Sequence, residues 1–147
     1  RATTDIYTVS LHDALPILDY TLLAAQAIQA KKISLPTYSN FHVGAALLTA
    51  DDKIYLGANI ETSSYSLTIC AERTAIFKAI LEGERKFKAI AIASDAEDFI
   101  APCGACRQII SDLCGEIDII MTNQKDELKI LKTSQLLPFA FSDKDLQ

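Results

Sequence analysis

Several classes of protein are excluded by what the 147-residue sequence lacks. It has no tryptophan, one methionine, two histidines, four prolines and five glycines. No apolar run approaches the roughly 20 residues that a membrane-spanning helix requires. The 14 lysines and arginines are outnumbered by 19 acidic residues and form no run, so the net charge of −5 argues against a nucleic acid or an anionic membrane as partner.

Cysteine is scarce as well. Four cysteines could form two disulfides in a secreted protein, but no signal peptide is visible. In such a chain a Cys-x-x-Cys spacing points more often to metal or redox chemistry. We therefore expect a cytoplasmic enzyme.

What is present is typical of a single globular domain. Half of the residues are hydrophobic and 22% are charged, and neither a repeat nor a linker divides the chain. We expect residues 18–147 to form one domain. Residues 10–17 resemble the translation of a sequencing-library adaptor, so we expect residues 1–17 to be a non-native or disordered extension.

Hydrophobic periodicity and turn residues predict an α/β fold. The order of elements indicates three layers, α/β/α, with a mixed central sheet of about five strands and helices on both faces. The predicted elements are a helix capped by Asp19 that ends before Pro36, hairpin strands over 43–50 and 53–59, a helix over 71–82, a strand over 87–93, a helix from Cys103 to Gly115, and strands over 117–122 and 128–131.

Three of the cysteines occur in two short motifs at predicted helix starts. Cys70 opens a Cys-Ala-Glu motif, and Cys103 and Cys106 bound a Cys-Gly-Ala-Cys motif. The N-terminus of a helix favours a thiolate, and a catalytic zinc keeps three protein ligands and leaves the fourth position for water. Because Glu72 lies two residues after the first cysteine, the motifs predict an open metal site with a proton carrier beside it.

Other interpretations of the same residues stay open at this point. The cysteines could be buried core residues, a redox pair, or part of a four-thiolate structural site that recruits Cys114. We favour a core position for Cys114 and an exposed, non-ligating role for His42. Arg73 or Arg107 could offset the excess negative charge of three thiolates.

Five motifs together make the sequence similar to the cytidine deaminases, of the small type that holds zinc with three cysteines. The similarity extends from Leu22 to roughly Leu146. The motifs are Tyr38-Ser39-Asn40-Phe41-x-Val43-Gly44-Ala45-Ala46, Asn59-Ile60-Glu61, Cys70-Ala71-Glu72-Arg73-Thr74-Ala75, Pro102-Cys103-Gly104-Ala105-Cys106-Arg107-Gln108 and Leu136-Leu137-Pro138-x-x-Phe141.

This resemblance implies a cytidine deaminase-like fold, a compact homotetramer with composite active sites, and one Zn²⁺ per subunit. It also implies a role for each of ten residues. Cys70, Cys103 and Cys106 would bind zinc, Glu72 would act as the acid/base, Asn59 and Glu61 would hold the ribose hydroxyls, Phe41 would pack on the pyrimidine, Ala71 would contact the base through its backbone, Arg73 would moderate the thiolate charge, and Phe141 would reach an adjacent subunit's site.

The implied reaction is the hydrolysis of cytidine and 2′-deoxycytidine to uridine and 2′-deoxyuridine with release of ammonia, a step of pyrimidine salvage. Two alternatives remain: a deaminase of a modified cytosine nucleoside of the blasticidin type, and a structural zinc-binding module. The sequence departs from the family pattern at Thr37, Thr62 and Ser66, none of which is a proposed catalytic group.

Overall fold

The computed structural model describes residues 15–147, with side chains from Tyr20 onward. In chain order the main elements are α1 (Leu15–Ala30), β1 (Val43–Thr49), β2 (Ile54–Ala58), α2 (Ala71–Leu81), β3 (Phe87–Ser94), α3 (Gly104–Ile109), β4 (Asp118–Thr122), β5 (Leu128–Lys132) and α4 (Thr133–Leu136). The α3 helix continues through a π-helical turn, Ile110–Cys114, before the chain enters β4.

The sheet is covered on both faces, so its strands are apolar almost throughout. Along β1, Ala45 and Leu47 belong to the core cluster that contains α2, whereas Ala46 and Leu48 belong to the cluster that contains α1. The same alternation runs along β3 and β4. The prediction of a three-layer α/β/α fold with a five-stranded sheet is confirmed.

Strand pairing brings several loops to one edge of this sheet. The strand order is β2-β1-β3-β4-β5, with a parallel β3–β4 pair and antiparallel pairs elsewhere. Val43 at the start of β1 pairs with Ser94 at the end of β3, and Gly44 pairs with Ala58 at the end of β2. The segments before β1, after β2 and after β3 therefore meet at the same edge.

The first helix begins earlier than predicted. It starts at Leu15, so the assignment of Asp19 as its cap is wrong. Pro16 lies in the first turn, where a missing N–H removes no intrahelical hydrogen bond. Residues 1–14 of the predicted extension lie outside the described residues, and the assignment of 1–17 as an extension stays a prediction. No helix within residues 15–147 is long and apolar enough to cross a membrane.

Two other helices end at the glycines that the sequence predicts as helix stops. Gly83 follows α2 with φ 98°, and Gly115 follows the π-helical turn with φ 75°. Glycine adopts these positive φ values without the steric cost that a Cβ imposes.

A close backbone approach places the start of α2 against the end of β2. A Cβ at Gly57 would lie 2.3 Å from Ala71 O and 2.5 Å from Ala75 N. The Thr74 hydroxyl accepts a hydrogen bond from Ala58 N at 3.0 Å and lies 2.9 Å from Ala71 O. These contacts set the position of the residues at the start of α2.

We expect Gly57→Ala to lower the free energy of unfolding by about 1–3 kcal/mol, because the added methyl group must push α2 away from β2. Gly104→Ala is the matched control, since a Cβ there has no neighbour within 4 Å. It should change the free energy by less than about 1 kcal/mol. Urea denaturation followed by circular dichroism measures both, and equal midpoints for the two variants would contradict the close approach.

Candidate metal centre and adjoining cavity

Two helix starts bring three cysteine sulfurs together. Cys70 is the N-cap of α2, Cys103 is the N-cap of α3, and Cys106 lies in the first turn of α3. Their three Sγ atoms lie within 4.8 Å of one another, and those of Cys70 and Cys103 are 3.9 Å apart. Tetrahedral zinc with Zn–S bonds of about 2.3 Å places its sulfur ligands roughly 3.8 Å apart. The donor set therefore fits a zinc ion with three thiolates and one open position.

The cluster favours a thiolate at Cys70. A hydrogen bond from the Cys106 thiol lowers the pKa of Cys70, assisted by the Arg73 guanidinium, whose Nη2 lies 3.4 Å from the Cys70 sulfur. The pKa of the Cys106 thiol is raised because it donates toward that thiolate and is buried. Zinc binding requires three thiolates and would release the remaining thiol protons.

The two arginines near the cluster differ in their contacts. Arg73 contacts the Cys70 sulfur, whereas Arg107 donates to the carbonyl oxygens of Pro102 at 2.7 Å and of Leu136 at 2.8 Å. Arg107 thus ties the loop before Cys103 to the chain near the C-terminus.

Glu72 is a buried carboxyl beside the sulfurs. It is 4% exposed and lines a cavity of about 280 Å³ together with Cys70 and Cys103. Burial raises the pKa of this carboxyl to about 7, and the negative charge of the Cys70 thiolate acts in the same direction. A carboxyl of this kind can both accept and return a proton near neutral pH.

The cavity is of the size of a small-molecule site. Its walls come from the start of β1, the segment after β2, the start of α2, β3 and the loop before α3. The lining residues are Val43, Asn59, Glu61, Thr68, Cys70, Ala71, Glu72, Ile92, Ile100, Ala101 and Cys103.

Asn59 connects the cavity wall to the segment before β1. Its side chain is buried, Oδ1 accepts a hydrogen bond from Val43 N at 2.9 Å, and Nδ2 donates to Phe41 O at 2.9 Å. An amide has further donor and acceptor capacity beyond these two bonds. Asn59 can therefore stabilise the segment and still offer a polar group to a ligand.

Glu61 is held as a carboxylate. Its Oε1 accepts hydrogen bonds from Tyr38 N and Ser39 N at 2.9 Å each, and its Oε2 accepts one from the Ser39 hydroxyl. The hydrogen bonds from Ser39 lower the pKa of Glu61. This wall of the cavity is therefore anionic, in contrast to Glu72.

The structure does not bring every proposed site residue to the cavity. Asn59, Glu61, Ala71 and Glu72 line it with two of the cysteines, but Phe41 and Phe141 are not among its lining residues. Phe41 is half-buried and lies two residues before the start of β1. Phe141 is 56% exposed, and its carbonyl oxygen accepts a hydrogen bond from Gln108 Nε2 at 3.0 Å.

Several cavity residues were missed by the sequence analysis. Val43 and Ile92 lie on the neighbouring strands β1 and β3 and line the cavity. In the sequence both are apolar residues of predicted strands, and nothing there indicates a cavity wall. Ala101 lies two residues before Cys103 and could have been found by that proximity. Thr68 carries no comparable signal.

The remaining candidates lie away from the sulfurs. Cys114 packs against the core, as predicted, and burial raises the pKa of its thiol to about 12. His42 Nδ1 lies within hydrogen-bond distance of Asp95 Oδ2, at 2.7 Å, and Asp95 also forms an ion pair with Lys31. Among the residues the structure describes, Cys70, Cys103 and Cys106 form the only group that could hold a metal ion.

Comparisons with known proteins agree with this chemistry. The profile of the "cytidine and deoxycytidylate deaminase zinc-binding region" matches residues 19–121. A cytidine deaminase from Sporosarcina psychrophila is 48% identical over 130 residues, which cover 88% of this chain and 96% of the relative. One from Halalkalibacterium halodurans is 45% identical over 130 residues, covering 88% and 98%.

Solved structures give the same result. The cytidine deaminase of Burkholderia pseudomallei superposes with a TM-score of 0.79 at 42% identity and covers 82% of this chain and 97% of that one. The Mycobacterium tuberculosis enzyme superposes with a TM-score of 0.73 at 32% identity, covering 84% and 97%. With a matching profile over most of its length and relatives this similar, the chain belongs to the cytidine deaminase family.

Proposed function

We propose that this protein hydrolyses cytidine and 2′-deoxycytidine to uridine and 2′-deoxyuridine, releasing ammonia. The observation that carries the proposal is the buried Glu72 carboxyl, which lies in the cavity wall next to the three-cysteine cluster. In the proposal Cys70, Cys103 and Cys106 hold one zinc ion per subunit, which when bound makes water a nucleophile near neutral pH.

Glu72 carries the protons of the reaction. Its carboxylate takes a proton from the attacking water and delivers it to N3 of the base, which makes C4 more electrophilic. The same group then passes the second water proton to the departing amino group, so that water and cytidine give uridine and ammonia and Glu72 returns to its starting state. Burial supports this role, since it brings the pKa of Glu72 to about 7.

The polar wall formed by Asn59 and Glu61 would recognise the sugar. Asn59 and the ionised Glu61 offer neutral and anionic partners to ribose hydroxyls, and the backbone of Ala71 would contact the base. Phe41 would pack on the pyrimidine, a role supported by its place at the sheet edge where the cavity lies. Arg73 would moderate the charge of the thiolates through its contact with Cys70.

We extend the proposal to a homotetramer with composite sites, which is supported by exposed aromatic side chains. Phe141 is exposed and lies outside the cavity of its own chain, so it is available to an adjacent subunit. Tyr38 and Tyr65 form an exposed edge-to-face pair at 5.4 Å beside Glu61, a further apolar surface for subunit contact. We extend the proposal to pyrimidine salvage in the cytoplasm, where free nucleosides are the substrates.

We expect Cys103→Ala to lower the zinc content well below one per chain, because two thiolates hold the ion less tightly than three. Cys114→Ala is the matched control and should keep its zinc, since that thiol packs against the core. Elemental mass spectrometry after dialysis measures the content. An equal loss in both variants would indicate a four-thiolate structural site instead.

We expect Glu72→Gln to reduce kcat for cytidine by about 10²–10⁴-fold while the protein keeps its fold and its zinc, because an amide cannot carry the proton. Glu82→Gln, at the exposed end of the same helix, is the control and should retain full activity. Ultraviolet absorbance follows the conversion of cytidine to uridine. A wild-type protein that binds zinc but shows no deamination would favour the structural module.

We expect CMP to be a poor substrate, with kcat/KM roughly 100-fold or more below that of cytidine, because its phosphate is repelled by the Glu61 carboxylate. The pKa of Glu61 is lowered by its hydrogen bonds, so it stays ionised at neutral pH. Glu61→Gln should reduce the difference in kcat/KM between CMP and cytidine. Comparable turnover of cytidine and CMP by the wild type would contradict the role of Glu61.

A further inference from the structure

Ser39 connects two residues of the proposed substrate site. Its hydroxyl accepts a hydrogen bond from Phe41 N at 3.0 Å and donates one to Glu61 Oε2. Its backbone N donates to the other oxygen, Glu61 Oε1, at 2.9 Å. Ser39 therefore supplies two of the three hydrogen bonds that hold the Glu61 carboxylate, and Tyr38 N supplies the third.

The connection continues to Asn59. Phe41 O accepts a hydrogen bond from Asn59 Nδ2, and Asn59 Oδ1 accepts one from Val43 N. Phe41, Asn59 and Glu61 thus belong to one hydrogen-bonded unit, in which the Ser39 hydroxyl joins the Glu61 carboxylate to Phe41. The bonds of Asn59 to Phe41 O and Val43 N do not involve Ser39, whereas two of the three bonds to Glu61 do.

The number of hydrogen bonds at Glu61 limits what it can bind. A carboxylate has about four acceptor positions, two on each oxygen. Tyr38 N and Ser39 N use both positions of Oε1, and the Ser39 hydroxyl uses one position of Oε2. One acceptor position is left for a ligand hydroxyl.

We propose that Ser39 is a positioning residue for sugar recognition: its hydroxyl orients Glu61 so that the carboxylate accepts a single ribose hydroxyl. This inference rests on the proposed function. Because that function takes both cytidine and 2′-deoxycytidine as substrates, the recognised hydroxyl is one that both possess, the 3′-hydroxyl. Ser39 touches no substrate atom in this role and acts only through Glu61.

The test is Ser39→Ala in the zinc-loaded protein, measured with cytidine and 3′-deoxycytidine. We expect kcat/KM for cytidine to fall roughly 10-fold, mainly through a higher KM, because a hydrogen bond to a charged group is lost away from the reacting atoms. For 3′-deoxycytidine, which lacks the hydroxyl, the change should stay within about twofold. Ser39→Thr keeps a hydroxyl and should restore cytidine kinetics.

Ser134→Ala is the matched control. Ser134 makes the same pair of contacts with a glutamate away from the cavity: its backbone N donates to Glu116 Oε1 at 2.8 Å and its hydroxyl donates to Glu116 Oε2. Ser134→Ala should lower the melting temperature by about as much as Ser39→Ala does. It should leave the ratio of kcat/KM for cytidine to that for 3′-deoxycytidine as in the wild type. The double variant Ser39→Ala/Glu61→Gln should bind cytidine no more weakly than Glu61→Gln alone.

Three results would overturn the role of Ser39: equal losses for cytidine and 3′-deoxycytidine, a loss confined to kcat, or kinetics unchanged from the wild type. Calorimetric titration with both nucleosides separates this inference from the proposed function. If the wild type binds cytidine without converting it, the proposed function fails, while a Ser39→Ala loss specific to cytidine binding still supports the positioning role. A wild type that binds neither nucleoside overturns both.

Discussion

The proposed site depends on how closely the start of α2 can approach the end of β2. The Ala71 carbonyl and the Ala75 backbone occupy the space that a side chain at residue 57 would fill, and only glycine leaves that space free. The Thr74 hydroxyl then bonds the helix to Ala58. Since Cys70 and Glu72 belong to this helix start, the contact places the Cys70 sulfur and the buried carboxyl near the segment after β2.

The cavity holds two carboxyl groups whose environments shift their pKa values in opposite directions. Burial raises the pKa of Glu72, and hydrogen bonds from Ser39 and Tyr38 lower that of Glu61. Carboxyl groups separated in this way can serve different purposes, one moving protons and the other remaining an anion. In the proposed function, the end of the cavity beside the cysteines is the reactive end, and the end beside the loop before β1 is the recognition end.

The long apolar and periodic segments were predictable because burial on both faces leaves a clear pattern. The strand over β3 and the helix starts at Cys70 and Cys103 follow from local residues alone. The start of α1 at Leu15 was not predictable. Asp19 is a typical N-cap residue, yet the helix already begins four residues before it. Nor could the sequence predict that Phe41 and Phe141 lie outside the lining of the cavity. Which residues line the cavity depends on which loops the folded sheet brings together.

The sequence by itself determined the chemistry of the groups: three cysteines and a glutamate in spacings that suit an open metal site, on a chain patterned for an α/β fold. The tertiary structure decided which groups share a space and in what charge state. Strand pairing joins the start of β1 to the ends of β2 and β3, and this assembles the cavity from segments far apart in the chain. Burial and hydrogen bonding are properties of that assembly, so the contrast between Glu72 and Glu61 arises only once the chain has folded.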